Sequence, residues 1–131
     1  GCGYGPIGIY ISKVFNSHVD MIDVNKRAVH LCQMNIKENN VNCNAFVSDC
    51  YEKVDDFYDT IITNPPIRAG KKIIYEIVMN ACNHLIENGV LYIVIRKDQG
   101  AKSMISDLKK IYNVEVLDKS KGFFVIKCKK Y

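Results

Sequence analysis

Short apolar runs alternate with segments of helical spacing along most of the chain, and this alternation limits the fold more than any other feature. His18 to Val24, Asn44 to Val47, Tyr58 to Thr63 and Val90 to Ile95 have the length and composition of strands. Between and around them lie Gly5 to Phe15, with Ile7, Ile11, Val14 and Phe15 at helical spacing, then Asn25 to Asn40, Lys72 to Glu87, and Ala101 to Tyr112. Asn25 is placed to cap the second helix, whose inward stripe is Ala28, Val29, Cys32 and Ile36. The stripe of the third is Ile73, Ile77, Val78, Ala81 and Leu85, with Asn88-Gly89 as its stop. β and α in alternation predict an open, doubly wound sheet with helices on both faces. The unbroken apolar run Val90 to Ile95 suits a strand covered on both faces. At the end the pattern changes. Val114 to Leu117 and Phe123 to Cys128, joined by Asp118-Lys119-Ser120-Lys121-Gly122, predict an antiparallel hairpin closing a mostly parallel sheet.

Such a sheet binds ligands at the carboxyl ends of its strands, so the loops that follow strands carry the chemistry. Gly1-Cys2-Gly3-Tyr4-Gly5-Pro6 opens the first helix, where glycines let backbone approach a ligand and the helix end supplies free N–H groups. Its spacing differs from the dinucleotide pattern G-x-G-x-x-G, although Gly8 offers a loose match. Asp23 ends the next strand, about 20 residues on, where an acid reaches the ribose hydroxyls of an adenosine-containing cofactor. A helix-capping role for Asp23 is the plainer alternative. Asp20 lies mid-strand and is expected outside the site. Asp49, after the strand Asn44 to Val47, can accept from an adenine amino group, with Cys50 or a neighbouring backbone N–H at the ring; a plain turn aspartate serves equally well.

Asn64-Pro65-Pro66-Ile67 is the most informative segment. The prolines stop the strand and stiffen the loop. The Asn64 amide oxygen and the Pro65 carbonyl can both accept N–H bonds from one target amine. A proline-terminated strand explains the prolines but leaves the asparagine unaccounted for.

Composition sets the remaining bounds. The 131 residues are 48% hydrophobic with a mean hydropathy of -0.06, which suits one domain, residues 1–131. No apolar run approaches the ~18 residues of a membrane span. The opening residues show neither a basic n-region nor a cleavage site. Six cysteines lack C-x-x-C pairing or zinc spacing, and reduced thiols in a cytoplasmic protein are expected, with no metal. A net charge of +4, with Lys119, Lys121, Lys127, Lys129 and Lys130 crowded near the end, suits a polyanionic partner, although a solvated lysine edge explains it as simply. His18, His30 and His84 are scattered and are read as structural.

Taken together these residues resemble the class I S-adenosylmethionine-dependent methyltransferases, most closely the ribosomal small-subunit RNA guanine-N2 enzymes and their small-domain relatives. The resemblance runs through Gly1 to Gly8, Asp23-Val24-Asn25 with Ala28-Val29, Asn64 to Lys71, and Lys121-Gly122-Phe123-Phe124. It implies a Rossmann-like methyltransferase sheet and S-adenosyl-L-methionine as cofactor, held by Gly1, Cys2, Gly3, Gly5, Pro6, Asp23, Val24, Asp49, Cys50 and Asn64. It implies catalysis at Asn64, Pro65, Pro66 and Ile67, and RNA contacts at Arg68 and Lys71. Ile67 stands where many relatives carry an aromatic, and Arg68 where relatives often have histidine. Two other readings use the same residues: a protein-glutamine N-methyltransferase, and a non-catalytic RNA-binding module on a methyltransferase fold. In this family a central strand precedes the glycine loop, whereas the chain begins at the glycine. The expectation is therefore an N-terminally incomplete domain, with no strand of this chain between those ending at Asp23 and Asn64, unable to fold or methylate alone.

Overall fold

A computed structural model describes residues 1–65 and 69–131. All six strands read from the sequence are present among them, as β1 (Val19–Asp23), β2 (Cys43–Val47), β3 (Tyr58–Thr63), β4 (Leu85–Arg96), β5 (Tyr112–Asp118) and β6 (Phe123–Lys130). The helices are α1 (Pro6–Phe15), α2 (Lys26–Asn39), α3 (Gly70–Asn80) and α4 (Ala101–Leu108). The chain divides into two compact units, Gly1–Val54 and Asp55–Tyr131. No helix among the described residues is long and apolar enough to cross a membrane.

In the first unit β1 and β2 pair in parallel from Val19↔Cys43 to Asp23↔Val47. Met21, Val29, Cys32 and Ala45 form the core, with Cys2, Ile9, Val19, Ile36 and Cys43 packed around them. Asn25 caps α2 as expected, its Oδ1 accepting from the N–H groups of Arg27 and Ala28 at 2.9 and 3.1 Å. Val29 and Cys32 are the buried part of the expected stripe. The stripe read on α1 is not the buried one. Ile7, Val14 and Phe15 are exposed, and the helix buries Gly8 and Ser12 instead. The reason is close approach: a Cβ on Gly8 would lie 2.2 Å from Met21 Sδ, so only a face of small residues can meet β1 there.

Asp20 pairs with a histidine of the same strand edge. His18 Nε2 lies 2.9 Å from Asp20 Oδ1, and His18 Nδ1 lies 3.2 Å from Asn42 Oδ1. Both ring nitrogens face acceptors, so the doubly protonated ring fits best. The Asn42 contact first, and Asp20 second, raise the His18 pKa above its ordinary value. A raised folded-state pKa stabilises fully below the unfolded value of about 6.5 and is lost as pH rises through the folded value. Unfolding midpoints should therefore fall from about pH 6.5 upward, and His18→Gln should flatten that decline. Parallel pH profiles for the two proteins would remove His18 from the account.

In the second unit the sheet order is β3-β4-β6-β5. β3 and β4 are parallel, while β6 is antiparallel to both β4 and β5, which is the closing hairpin expected. Leu91, Ile93 and Ile95 are fully buried along one face of β4 and Val90, Tyr92 and Val94 half-buried on the other. Each fully buried aliphatic side chain contributes roughly 1.5–3 kcal/mol.

Two helix ends differ from the sequence reading. The helix placed over Lys72 to Glu87 is α3, which ends at Asn80 and passes through a 3-10 turn at Ala81–His84 into β4. Leu85 is already extended, and Asn88, at φ 66°, sits with Gly89 in a bulge between the pairs Tyr58↔Leu85 and Thr60↔Val90. Asn88-Gly89 therefore bends a strand rather than stopping a helix. The buried face is Ile74, Val78 and Ala81, and Ile73 is exposed. The helix begun at Ala101 ends at Leu108, and Tyr112 opens β5. Tyr112 is fully buried and its hydroxyl donates to Val78 O at 2.8 Å, so tertiary burial overrides continued helix.

Among the described residues β1 has a ladder with β2 alone and β3 with β4 alone.

Candidate active site

The residues singled out in the sequence fall into two groups, one in each unit. In the first, backbone and Asp23 build a loop at the carboxyl end of β1. The Gly1 nitrogen and the Cys2 N–H both donate to Ile22 O, each at 2.8 Å. Gly5 N donates to Cys2 O at 3.1 Å, and Ile9 N donates to Gly5 O at 3.0 Å to begin α1. Gly5 is a conformational requirement, because its φ is 95° and a Cβ there would stand 2.6 Å from Cys32 Sγ. Pro6 follows in the first helical turn, where its missing N–H costs nothing.

Asp23 is the hinge of this arrangement. Its Oδ2 accepts from Gly3 N at 3.0 Å and its Oδ1 from Asn25 N at 2.9 Å. The carboxylate thus ties the glycine loop to the start of α2. It has about four acceptor sites in all, so roughly half remain for other donors. Beside it Val24 is an exposed apolar side chain. No side chain caps α1 and its first turn holds no acid, which leaves its N-terminal amides open to an acceptor.

Asp49 and Cys50 reach the same edge through Ser48. Ser48 N donates to Asp23 O at 3.0 Å. The buried Ser48 hydroxyl donates to Cys50 O at 2.8 Å and accepts from Lys53 N at 3.0 Å. This latch was not apparent from the sequence, where Ser48 is one more small polar loop residue. Asp49 is exposed, and Cys50 turns the chain at φ 52°. None of the six cysteines forms a disulfide. Burial raises the Cys2 thiol pKa and pushes that of Cys32 to about 12, so both stay neutral thiols beneath the loop.

In the second unit Asn64 and Pro65 leave β3 one and two residues past the pair Thr63↔Ile93. Pro65 is buried, whereas Asn64 is exposed and forms no hydrogen bond among the described residues. Its carboxamide is therefore open to a ligand. Pro66, Ile67 and Arg68, which the sequence placed in the catalytic and RNA-contacting sets, lie outside the described residues. Lys71 lies in the first turn of α3 with Nζ 5.3 Å from the centroid of the Tyr75 ring. Tyr75 in turn donates to Asp107 Oδ2 at 2.7 Å, tying α3 to α4. That bond holds the Asp107 carboxyl below its usual range, and burial raises the Tyr75 pKa. Lys71 and Tyr75, with Asp98, Gln99, Gly100 and Ser103, border a cleft of ≈290 Å³. Gln99 Nε2 is buried without a partner among the described residues. Sequence reasoning missed this cleft, because Gln99 and Ser103 belong to no spacing pattern.

The glycine loop pinned by a strand-end aspartate, and the exposed Asn64 that follows a parallel strand, are features by which the sequence resembles the class I methyltransferases. The fold agrees with that class. It matches the structure of the T. thermophilus 16S rRNA N2 G1207 methyltransferase, solved with AdoMet and guanosine, with a TM-score of 0.87 and 21% identity, over 100% of this chain and 36% of that one. The chain belongs to the methyltransferase small domain family, whose model matches residues 1–127. By that membership its class is S-adenosylmethionine-dependent methyl transfer. Among its relatives, an uncharacterized Bacillus subtilis protein, YbxB, is 44% identical over 99% of this chain and 67% of its own length. The Psychromonas ingrahamii ribosomal RNA small subunit methyltransferase C is 28% identical over 98% of this chain and 38% of its own length. A putative protein N5-glutamine methyltransferase of Methanocaldococcus jannaschii is 30% identical over 88% of this chain and 70% of its own length.

Proposed function

We propose that this chain is the catalytic domain of an N-methyltransferase acting on an exocyclic amine of a nucleic-acid base, with guanine N2 of ribosomal RNA as the target. The observation that carries the proposal is the exposed Asn64 carboxamide, without a partner among the described residues, followed by the buried Pro65 at the exit from the parallel strand β3. The similarity to the Psychromonas ribosomal RNA enzyme supports the choice of substrate.

The first unit suits the cofactor. Asp23 retains acceptor capacity for ribose hydroxyls, and a side chain built on Gly3 would meet nothing within 4 Å, so the loop's outer side is open. Val24 offers an apolar surface to a ring, Asp49 and Cys50 lie at the same edge, and the uncapped α1 terminus offers N–H donors. When bound, S-adenosylmethionine supplies a methyl group made electrophilic by its sulfonium.

The work left to the protein is positioning. A base amine is a poor nucleophile because its lone pair is delocalised into the ring. Acceptors at the Asn64 amide oxygen and the Pro65 carbonyl hold its two N–H groups, favour a pyramidal nitrogen and stabilise positive charge as it develops. The methylated ammonium is acidic enough to lose its proton to water, so no strong base is required. Ile67 gives the target an apolar contact, and Arg68 and Lys71 contact the RNA. The cytoplasm is the location that ribosomal RNA and reduced cysteines suit.

A protein-glutamine N-methyltransferase is the second reading, favoured by the similarity to the Methanocaldococcus protein, since a planar amide nitrogen suits the same acceptors. Ile67, where such relatives have tyrosine, counts against it. Methyl-transfer assays on ribosomal RNA and on a release-factor glutamine peptide should give N2-methylguanine and no methylglutamine. Methyl incorporation into the peptide alone would reverse the assignment. Calorimetry with S-adenosylmethionine tests the non-catalytic alternative, which predicts no heat of binding.

A further inference from the structure

A second cleft, of ≈320 Å³, opens where β4 ends and the β5–β6 hairpin turns, lined by Arg96, Lys97, Asp98, Lys121, Gly122 and Phe123. Its volume sits at the low end of the ~300–1,000 Å³ range of small-molecule pockets, the scale of a single nucleotide. The two segments that form it are fastened together. Lys97 N donates to Gly122 O at 2.9 Å, and Arg96 is the ladder partner of Phe123.

Its charge is one-sided. Asp98 is taken up by Arg96, Nη2 to Oδ2 at 3.0 Å. Asp118 is occupied by the hairpin itself, accepting from Lys119 N at 2.7 Å and Ser120 Oγ at 3.1 Å. Lys97, Lys119 and Lys121 have no acid within ion-pair distance among the described residues. The Lys97 and Lys119 ammoniums instead converge on the ring of Phe124, at 5.5 and 5.9 Å from its centroid.

Lys121 adds a conformational observation. Phe123 N donates to Ser120 O at 3.0 Å, and the two residues between have φ 55° (Lys121) and 79° (Gly122). Both values are positive, as in the tight hairpin turns whose first central position favours asparagine, aspartate or glycine. A lysine there is held in a left-handed conformation that costs it free energy, and it is held at the mouth of the cleft. Phe123 follows it, 41% exposed, a large apolar ring at the head of a strand.

Lysines without an acid partner and an exposed ring, lining one cleft, match the two components of a single-stranded nucleotide, a phosphodiester and a base face. We propose that this cleft binds an unpaired nucleotide of the RNA next to the methylation target, with Lys97 and Lys121 on its phosphate and Phe123 stacked on its base. The inference rests on the reading of the substrate as RNA. It places an aromatic platform on the hairpin, in a chain whose Ile67 provides none.

The test is binding of a fluorescent mixed-sequence single-stranded oligoribonucleotide to the intact protein across a salt series, with an RNA duplex for comparison. Wild type should prefer the single strand. Lys121→Asn should keep or raise the unfolding midpoint, because asparagine suits the turn, yet flatten the log-affinity versus log-salt slope by about 0.7. Lys97→Gln should do the same to the slope. Phe123→Leu, which keeps an apolar residue at the start of β6, should lower affinity roughly 5- to 150-fold, the worth of one stacked base. If wild type binds the strand and all three variants bind it equally well, the cleft assignment is overturned and the RNA reading stands. If wild type binds no RNA while methylating a glutamine peptide, both are overturned.

Discussion

Replacing Asn64 by alanine should slow methyl transfer by roughly 10²–10³, the scale of losing one preorganised polar group at a reacting centre. The fold should be indifferent to the change. Asn64 is exposed and bonds to nothing among the described residues, and substitutions at such positions shift stability by about 0.5 kcal/mol or less. S-adenosylmethionine affinity should change little as well, so the loss would fall on turnover. Asn64→Asp gives a second readout. It keeps an acceptor oxygen but adds a charge beside a sulfonium, so it should retain more activity than alanine while altering cofactor affinity. Single-turnover rates with saturating RNA measure the effect directly. An alanine variant with near-normal turnover would remove Asn64 from the mechanism and leave only a stiff loop.

The strands were legible because apolar runs bounded by turn residues are a local signal. β3 spans the same residues, Tyr58–Thr63, that the composition marks out. Asn25 was legible as a cap for the same reason, since a side chain reaching two or three residues ahead is written in the spacing. The misread features depend on distant partners. α1 shows its larger apolar residues to a sequence reader, but its approach to β1 selects Gly8 and Ser12. Ala81 and Leu85 keep helical spacing although the α-helix has ended, because Ala81 is buried in the 3-10 turn and Leu85 at the start of β4. Tyr112 leaves a helical pattern for a strand because its ring is buried and its hydroxyl finds Val78 O, 34 residues away. In the candidate site the same division holds. Glycines and an aspartate at strand ends are visible as residue types, whereas the bonds joining them, Gly3 to Asp23 and Ser48 to Asp23, cross the fold.

Those bonds make Asp23 the residue with the second large expected effect, and they change what its substitution tests. Asp23→Ala removes the acceptors of Gly3 N and Asn25 N together. A hydrogen bond to a charged group contributes roughly 1.5–3 kcal/mol, and a comparable amount is expected for contacts to ribose hydroxyls. Two separable losses follow. Without cofactor, the unfolding midpoint should drop, because Gly3 N and Asn25 N lose their acceptor and only the Gly1 and Cys2 bonds to Ile22 O still hold the loop to β1. With cofactor, affinity should fall by a further roughly 10- to 150-fold, since each 1.4 kcal/mol is tenfold. Asp23→Asn separates the terms imperfectly, because its amide nitrogen turns a donor toward one of the two backbone N–H groups. A cleaner control is a ligand series. S-adenosylhomocysteine and a carbocyclic analogue lacking the ribose hydroxyls should bind wild type with different affinities and Asp23→Ala with similar ones. Equal discrimination by the two proteins would mean that Asp23 serves the loop alone, as a latch and not as a ribose ligand.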